Sequence, residues 1–408
     1  MDARVARQTI EQIEKKQCTG CGLCAAKCPK SCIIMTEDEE GFRIPRVDAA
    51  MCIECGLCLR LCPTTSVDSL RSKAERKFFC GVIKDKEMLL KSSSGGVFGV
   101  LAKQVIDIGG YVCGCVYTDD LDVQHKLTNQ SEDIERMYGS KYVQSKAEHC
   151  FPDIKAHLCA DEAVMFTGTA CQIAALRQYL GEEYPKLYCV EILCHGVPSP
   201  GLFQQYKRYL ERKLHGVVKD IRFRDKRKDG WGSEHCTCII YEKNGTLKEY
   251  RPVLPAFFSA FFYGLDLRES CYQCQFATSE RVADLTIGDF WGCWKKFGKR
   301  FHEGISVVGI NTEKGQKLTK SVSHMFDFFE MLSEDEAILS NDNFTHPIKR
   351  PPERTRFYEG ISKYEGLWKK TYLTRTYRRK TLASIYGAFV PQQIRMKLHL
   401  FLDRHRGT

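Results

Sequence analysis

Eight cysteines near the start of the chain repeat one spacing: Cys18-x2-Cys21-x2-Cys24-x3-Cys28-Pro29 and Cys52-x2-Cys55-x2-Cys58-x3-Cys62-Pro63. Three thiolates two residues apart wrap one corner of an iron–sulfur cubane, and in a paired run of this kind the fourth thiolate ligates the other run's cluster. The spacing therefore assigns Cys18, Cys21, Cys24 and Cys62 to one [4Fe–4S] cluster, and Cys52, Cys55, Cys58 and Cys28 to a second. The prolines end each loop by fixing φ and removing a backbone donor. Structural zinc also takes Cys-x2-Cys pairs. Two pairs, however, give no use for a third cysteine and a following Cys-Pro, repeated. The run implies electron transfer.

At 408 residues the chain exceeds one such module and predicts two or three domains. Its 22 cysteines would mean disulfides in a small secreted protein; the length and the cluster runs point to a reducing, cytoplasmic setting instead. The opening residues are polar and helical in pattern, without the apolar stretch of a secretory signal. The longest apolar stretch, Val253–Leu265, contains Pro255 and Gly264, falls short of a membrane span and reads as a buried Phe-rich helix. The net charge of +10 is unevenly placed, because His346–Thr408 carries 15 Lys/Arg against four Asp/Glu. The rest is close to neutral. Without a basic body or a recognisable motif, nucleic acid is not expected as a partner, and an iron–sulfur sensor acting on DNA is disfavoured.

Four regions follow. Residues 1–65 form a bacterial-type two-cluster ferredoxin module with short strands at Ile33–Met35 and Phe42–Ile44, and 66–77 is a polar, partly helical linker. Residues 78–345 alternate strands (Phe79–Val82, Gly110–Tyr117, Ala163–Phe166, Leu187–Leu193) with helices (Ser94–Ile108, Ile154–Leu158, Ala170–Tyr179, Pro200–Leu214). That alternation predicts an α/β domain with a mixed, mostly parallel sheet, its halves near 78–160 and 161–345. Asn244-Gly245 between strand-like runs predicts a hairpin that adds an antiparallel pair to this sheet, and Ile305–Ile310 reads as its last core strand. Residues 346–408 form a basic helical tail. Its Ile394, Leu398, Phe401 and Leu402 recur at helical spacing against Arg395, Lys397 and Arg404, a pattern suited to peripheral contact with an anionic membrane face, a partner, or its own domain.

Ligands in open α/β sheets sit outside the carboxyl ends of the strands. Cys171 follows one strand there and opens a helix, Cys194-His195-Gly196 follows the next, and Cys271-x2-Cys274 supplies two more thiols. On spacing alone these four are either a third cluster site or ordinary small apolar residues. Ser92–Gly96, rich in hydroxyls and glycine, leads into an apolar helix and reads either as a diphosphate site or as a capped helix with a loose lead-in. His195 is a candidate proton donor or a packed histidine. Asp284 and Asp289 read as turn-formers beside a core strand. Cys113/Cys115 and Cys236/Cys238 each place two sulfurs on one strand face and read as packing.

The segments Ser92–Gly96, Gly139–Ser145, Thr167–Gln172, Cys194–Pro198, Cys271-x2-Cys274 and Ala283–Gly292, in that order, resemble the beta subunit family of the coenzyme F-420 hydrogenases and dehydrogenases, which includes plant hydroxymethyl chlorophyll reductases. The resemblance spans roughly residues 78–345. It implies FAD and a [4Fe–4S] cluster on Cys171, Cys194, Cys271 and Cys274. It also implies FAD contacts from Ser93, Ser94, Gly95, Gly96, Lys141, Tyr142, Gly168, Thr169, Gln172 and Gly196. Ala170 departs from the family, where many members have proline. The implied function is an iron–sulfur flavoprotein oxidoreductase. It would exchange electrons with a ferredoxin or another redox protein, and act on a small-molecule or lipid-linked substrate or on a deazaflavin or nicotinamide donor. A non-catalytic electron-transfer subunit is the rival.

Overall fold

The computed structural model describes residues 9–231, 237–252, 256–297, 303–339 and 341–363. The proposed amphipathic segment of the tail and Cys236 lie outside them. In the first module, β1 (Ile33–Glu37) and β2 (Arg43–Val47) form an antiparallel hairpin, with Ile33 opposite Val47. The two cysteine loops lead into the short helices Leu23–Ala26 and Leu57–Arg60, which contact each other. Both start from a glycine in the left-handed region, Gly22 at φ 77° and Gly56 at φ 66°.

The body is built on β3 (Lys77–Ile83), β4 (Tyr111–Tyr117), β5 (Val123–Thr128), β6 (Val164–Gly168) and β7 (Leu187–Ile192). It continues with β8 (Val217–Arg222), β9 (Cys238–Lys243), β10 (Thr246–Tyr250), β11 (Leu285–Asp289), β12 (Ser306–Ile310) and β13 (Phe326–Leu332). Eight of these form one mixed sheet in the order β13-β3-β12-β11-β7-β6-β4-β5. Its centre, β11-β7-β6-β4, is parallel, and antiparallel pairings flank it on both sides. The central strands are buried on both faces: β6 shows no exposed residue, and neither does β12. That burial explains their continuous apolar runs.

Two expectations about the sheet are corrected. The Asn244-Gly245 hairpin forms as read, with Asn244 at φ 53°, but it does not join the main sheet. It pairs with β8 in a separate three-stranded sheet. The reason is a second core: Val218, Ile221 and Ile239 bury there with Leu202, Phe203, Tyr206 and Leu210 of the helix Pro200–Leu214. The strand Ile305–Ile310 is also not the last. β13 follows it and closes the sheet edge on β3, covering it through Phe79–Phe329 stacking with ring centroids 4.8 Å apart.

The Phe-rich stretch forms the helix Ala256–Phe262, which places Phe257, Phe258 and Phe261 in the second core. Among the described residues no helix is long and apolar enough to cross a membrane. The helix Arg354–Lys363 packs Phe357 and Tyr358 into the same core. Arg354, 1 % exposed, pairs there with Glu40 of the first module at 2.7 Å and with Glu269 at 2.7 Å. The start of the basic segment is therefore part of the packed body and clips it to the cysteine-rich module.

Candidate functional site

The first module contains two cavities, and each gathers a crossed set of cysteines. One is lined by Cys18, Cys21, Cys24 and Cys62, with Ile10, Ile13, Met35 and Pro45 around them. The other is lined by Cys28, Cys52, Cys55 and Cys58 and by a fifth cysteine, Cys32. The local geometry repeats. Gly20 (φ 66°) and Glu54 (φ 53°) hold the same position in the two loops, and both turn the chain through the left-handed region so that the following thiols face inward. Among the described residues no three His, Cys, Asp or Glu side chains are grouped so as to hold one metal ion. That includes both of these sets. A cubane spreads its thiolates over four corners, whereas zinc draws each to about 2.3 Å.

The cavities have different surroundings. Leu23 (1 % exposed) and Cys21 pack into the core of the body that also contains Cys171 and Cys274. On the other cavity, Cys55 is exposed, and its neighbours Met51 and Ile53 present 54 % and 57 % of their surface to solvent.

Cys171, Cys194, Cys271 and Cys274 converge from three segments at the carboxyl edge of the parallel strands. Cys171 is the second residue of the helix Ala170–Leu180, which follows β6; Thr169 caps that helix in a reciprocal box with Gln172, and its hydroxyl lies 3.1 Å from the Cys171 sulfur. Cys194 follows β7, which is held to β11 by the Leu193 N–H donating to the Ile287 carbonyl at 2.8 Å. Cys271 and Cys274 belong to a turn fastened beside it, where the Arg268 N–H donates to the Val197 carbonyl at 3.0 Å. The thiols feel one another. Burial first, and then the charges of Cys271, Cys171 and Cys274, push Cys194 well above its ordinary value. Burial and neighbouring thiols likewise push Cys171 and Cys271 up to about 12. Four half-buried thiols in each other's field resist ionising unless a cation offsets the charge, which bound iron would supply. This donor set fits a [4Fe–4S] cluster.

Arg268 stands between this set and the inner cavity. Its guanidinium, 2 % exposed, donates to the Cys18 carbonyl at 3.0 Å, to Gln144 Oε1 at 3.1 Å and to the Arg43 carbonyl. Gln144 in turn donates to the Thr19 carbonyl at 2.8 Å. A Cβ at Gly20 would collide with Arg268, and one at Gly22 with Glu148, which pairs with Arg43. Sequence reasoning missed this junction. Its only sequence trace is a cation three residues before the Cys271-x2-Cys274 pair.

The residues expected around FAD fall along the same edge. Ser93 accepts from the Ser140 N–H at 2.7 Å, and Gln172 Nε2 donates to the Ser145 hydroxyl at 2.9 Å, so three of the predicted segments touch in sequence. Their donors, however, are largely committed. The Ser92 and Ser94 hydroxyls donate to the Met88 and Ile305 carbonyls, and the Gly95 N–H donates to Ser306. Gly96 opens the helix Val97–Asp107 without a side-chain cap. Burial pushes Lys141 down to about 8, and its ammonium closes the helix Ser131–Met137 by donating to the Arg136 and Tyr138 carbonyls. The Tyr142 ring packs among Phe223, Phe258 and Phe261. Gly168 lies against Gln172 and His125, and Gly196, at φ 138°, against Leu267. As they stand, these groups do not form an open diphosphate cradle.

His195 is half-buried, with Nδ1 3.4 Å from Asn343 Oδ1 and its ring against Phe261; desolvation lowers its basicity. Asp284 is structural, accepting from the Cys189 N–H and the Thr312 hydroxyl, both at 2.8 Å. Asp289 is more than a turn residue, because it accepts from Trp231 Nε1 at 2.8 Å and faces Arg224 at 3.4 Å. Cys113 and Cys238 are buried as packing residues.

Known families match at both places. Residues 17–66 match the 4Fe-4S dicluster domain. Residues 161–328 match the C-terminal region of the coenzyme F420 hydrogenase/dehydrogenase beta subunit. This segment belongs to the beta-subunit family. The beta-subunit region thus starts just before β6 and contains all four body cysteines and Arg268. Among solved structures, a chain described as a xenon derivative of the F420-reducing [NiFe] hydrogenase complex from Methanosarcina barkeri is 17 % identical. The match covers 74 % of this chain and 91 % of that one, at a TM-score of 0.40. No curated protein matches. The two matched segments are those of an iron–sulfur dicluster domain and of an oxidoreductase-related family.

Proposed function

We propose that this chain is an oxidoreductase whose clusters form a wire from an external one-electron carrier to a substrate site in the beta-subunit region. The carrier side is the cavity of Cys28, Cys52, Cys55 and Cys58, whose rim exposes Ile53, Lys30 and Glu54 to solvent. The inner set of Cys18, Cys21, Cys24 and Cys62 comes next, and Cys171, Cys194, Cys271 and Cys274 hold a third cluster behind it. One observation carries this order: a single buried guanidinium, Arg268, contacts the Cys18 loop and lies in the field of both Cys171 and Cys271. The serine loop Ser92–Gly96 is closed onto Met88, Ile305 and Ser306 and leaves the FAD that the resemblance implies without a diphosphate site, so no step is assigned to it. With the electron-entry and catalytic modules joined in one chain, reduction of an organic or lipid-linked substrate by a ferredoxin-type carrier is the favoured direction. His195 is the proposed proton donor there.

Anaerobic purification with iron, sulfide and flavin counting tests the reading. About twelve iron atoms per chain are expected. Eight iron atoms and no flavin would reduce the body to a structural partner of the dicluster domain.

The description of the matching family as a beta subunit favours a second reading, an electron-transfer subunit whose partner holds the substrate. Co-purification with a stoichiometric partner, and no turnover without it, distinguishes the two.

A further inference from the structure

We propose that Cys32 is a reserve ligand of the outer cluster, able to take the iron corner held by Cys28. The proposal rests on the crossed assignment of the ferredoxin cysteines given above. Cys32 lines the same cavity as the four assigned thiols and is 4 % exposed. Its sulfur lies 3.4 Å from that of Cys28, and its side chain also interacts with that of Cys52. The backbone enforces this. Ser31 donates to the Cys28 carbonyl at 3.1 Å and sits at φ 48°, so the chain doubles back within four residues and presents both thiols to one cavity. The Cys32 carbonyl accepts from the Asp48 N–H at 2.8 Å, which fixes the returning strand.

The inner cavity provides the comparison. Its lining includes Cys18, Cys21, Cys24 and Cys62 and no fifth cysteine among the described residues. The position equivalent to Cys32, four residues after the fourth cysteine, is Ser66, whose hydroxyl turns to the Cys62 carbonyl at 3.4 Å. Thr64 instead approaches the Cys62 sulfur, at 3.1 Å. A hydroxyl is thus enough to hydrogen-bond a ligand sulfur. A thiol can also become a ligand, because it ionises readily beside a metal. The outer cluster is where that capacity is useful, since Cys55 is exposed to solvent and its oxidants.

The exchange balances without a co-reactant. The iron–sulfur bond to Cys28 breaks and one to Cys32 forms. The proton that Cys32 gives up passes to the Cys28 sulfur across their 3.4 Å contact. No electron moves, and the cluster keeps its four irons.

The test uses the full chain, purified anaerobically, with iron counting and electron paramagnetic resonance after dithionite reduction. Cys28→Ala should retain the wild-type iron content with a shifted outer-cluster spectrum, and Cys28→Ala/Cys32→Ala should lose four irons per chain. Cys62→Ala should lose four irons by itself. Loss of four irons in Cys28→Ala alone would overturn the reserve role and leave the ligand assignment standing. Full iron in the double variant would instead overturn the assignment of Cys28. Cys32→Ala, the mildest change, gives an independent reading on a folded protein. Its outer-cluster signal should decay several-fold faster in air than that of the wild type, and equal decay would overturn the proposal.

Discussion

The guanidinium of Arg268 reaches across the boundary between the two modules to donate to the backbone carbonyl of Cys18 at 3.0 Å. A cation placed there stabilises an added electron on either side of it, because the local dielectric is low and water is excluded. It also satisfies the buried Gln144 and Arg43 acceptors.

Arg268→Met should therefore move the potential of the inner ferredoxin cluster to more negative values and cost about 2–3 kcal/mol of stability from stranded charged hydrogen bonds. Arg268→Lys should keep most of the potential and lose part of the stability. A redox titration followed by electron paramagnetic resonance, together with a thermal melt, separates the two effects. Unchanged potentials in Arg268→Met would confine the residue to a packing role.

Gly20 and Glu54 occupy equivalent positive-φ positions, yet substitutions there should have opposite signs. Gly20→Ala adds a Cβ that meets Arg268 at a strained φ and should destabilise by more than about 1 kcal/mol. Glu54→Gly relieves an exposed left-handed residue and should stabilise by roughly 0.5–1 kcal/mol. Chemical denaturation of the iron-loaded protein reads both values.

Glu148 predicts the acid behaviour of the module boundary. Burial raises its carboxyl, but the hydrogen bond and charge of Arg43 outweigh burial and hold it below its ordinary 4.5. Its contribution is fully present above pH about 4.5 and is lost as pH falls through the lower folded value. Glu148→Gln should cost about 3 kcal/mol at neutral pH by leaving Arg43 buried without its partner. It should also flatten the acid limb of a stability-versus-pH curve. An unchanged acid limb would show that Glu148 does not govern it.

Cys171→Ser should remove four of about twelve irons while the dicluster signals persist. Parallel loss in Cys194→Ser, Cys271→Ser and Cys274→Ser would assign all four as ligands. Full iron in any one of them removes that residue from the set.

Much of the secondary structure was legible because it is local. The helix Pro200–Leu214 has a serine cap, a proline at its first position and an apolar stripe, all within fifteen residues. β5 and β8 escaped notice because His125, Lys126, Lys219 and Asp220 break their apolar alternation; among the strands, β5 pairs with β4 and β8 with β9 alone. Where the Asn244-Gly245 hairpin docks was also hidden, because a turn fixes its own two strands and says nothing about the third. For the serine loop Ser92–Gly96 the local pattern leaves both a diphosphate site and a capped helix open; what closes it is donation from its hydroxyls to the Met88 and Ile305 carbonyls, the second more than 200 positions away.

Cysteine spacing alone determined that this chain carries two clusters, since three ligands of each lie within seven residues and need only a short loop to converge. Spacing left the rest open. Tertiary structure decided which cavity faces outward and which lies against the body. It brought Cys171, Cys194, Cys271 and Cys274 to one sheet edge, and it put Arg268 between that edge and Cys18. Those relations join residues up to 250 positions apart. They depend on sheet order and core packing, which no local pattern specifies.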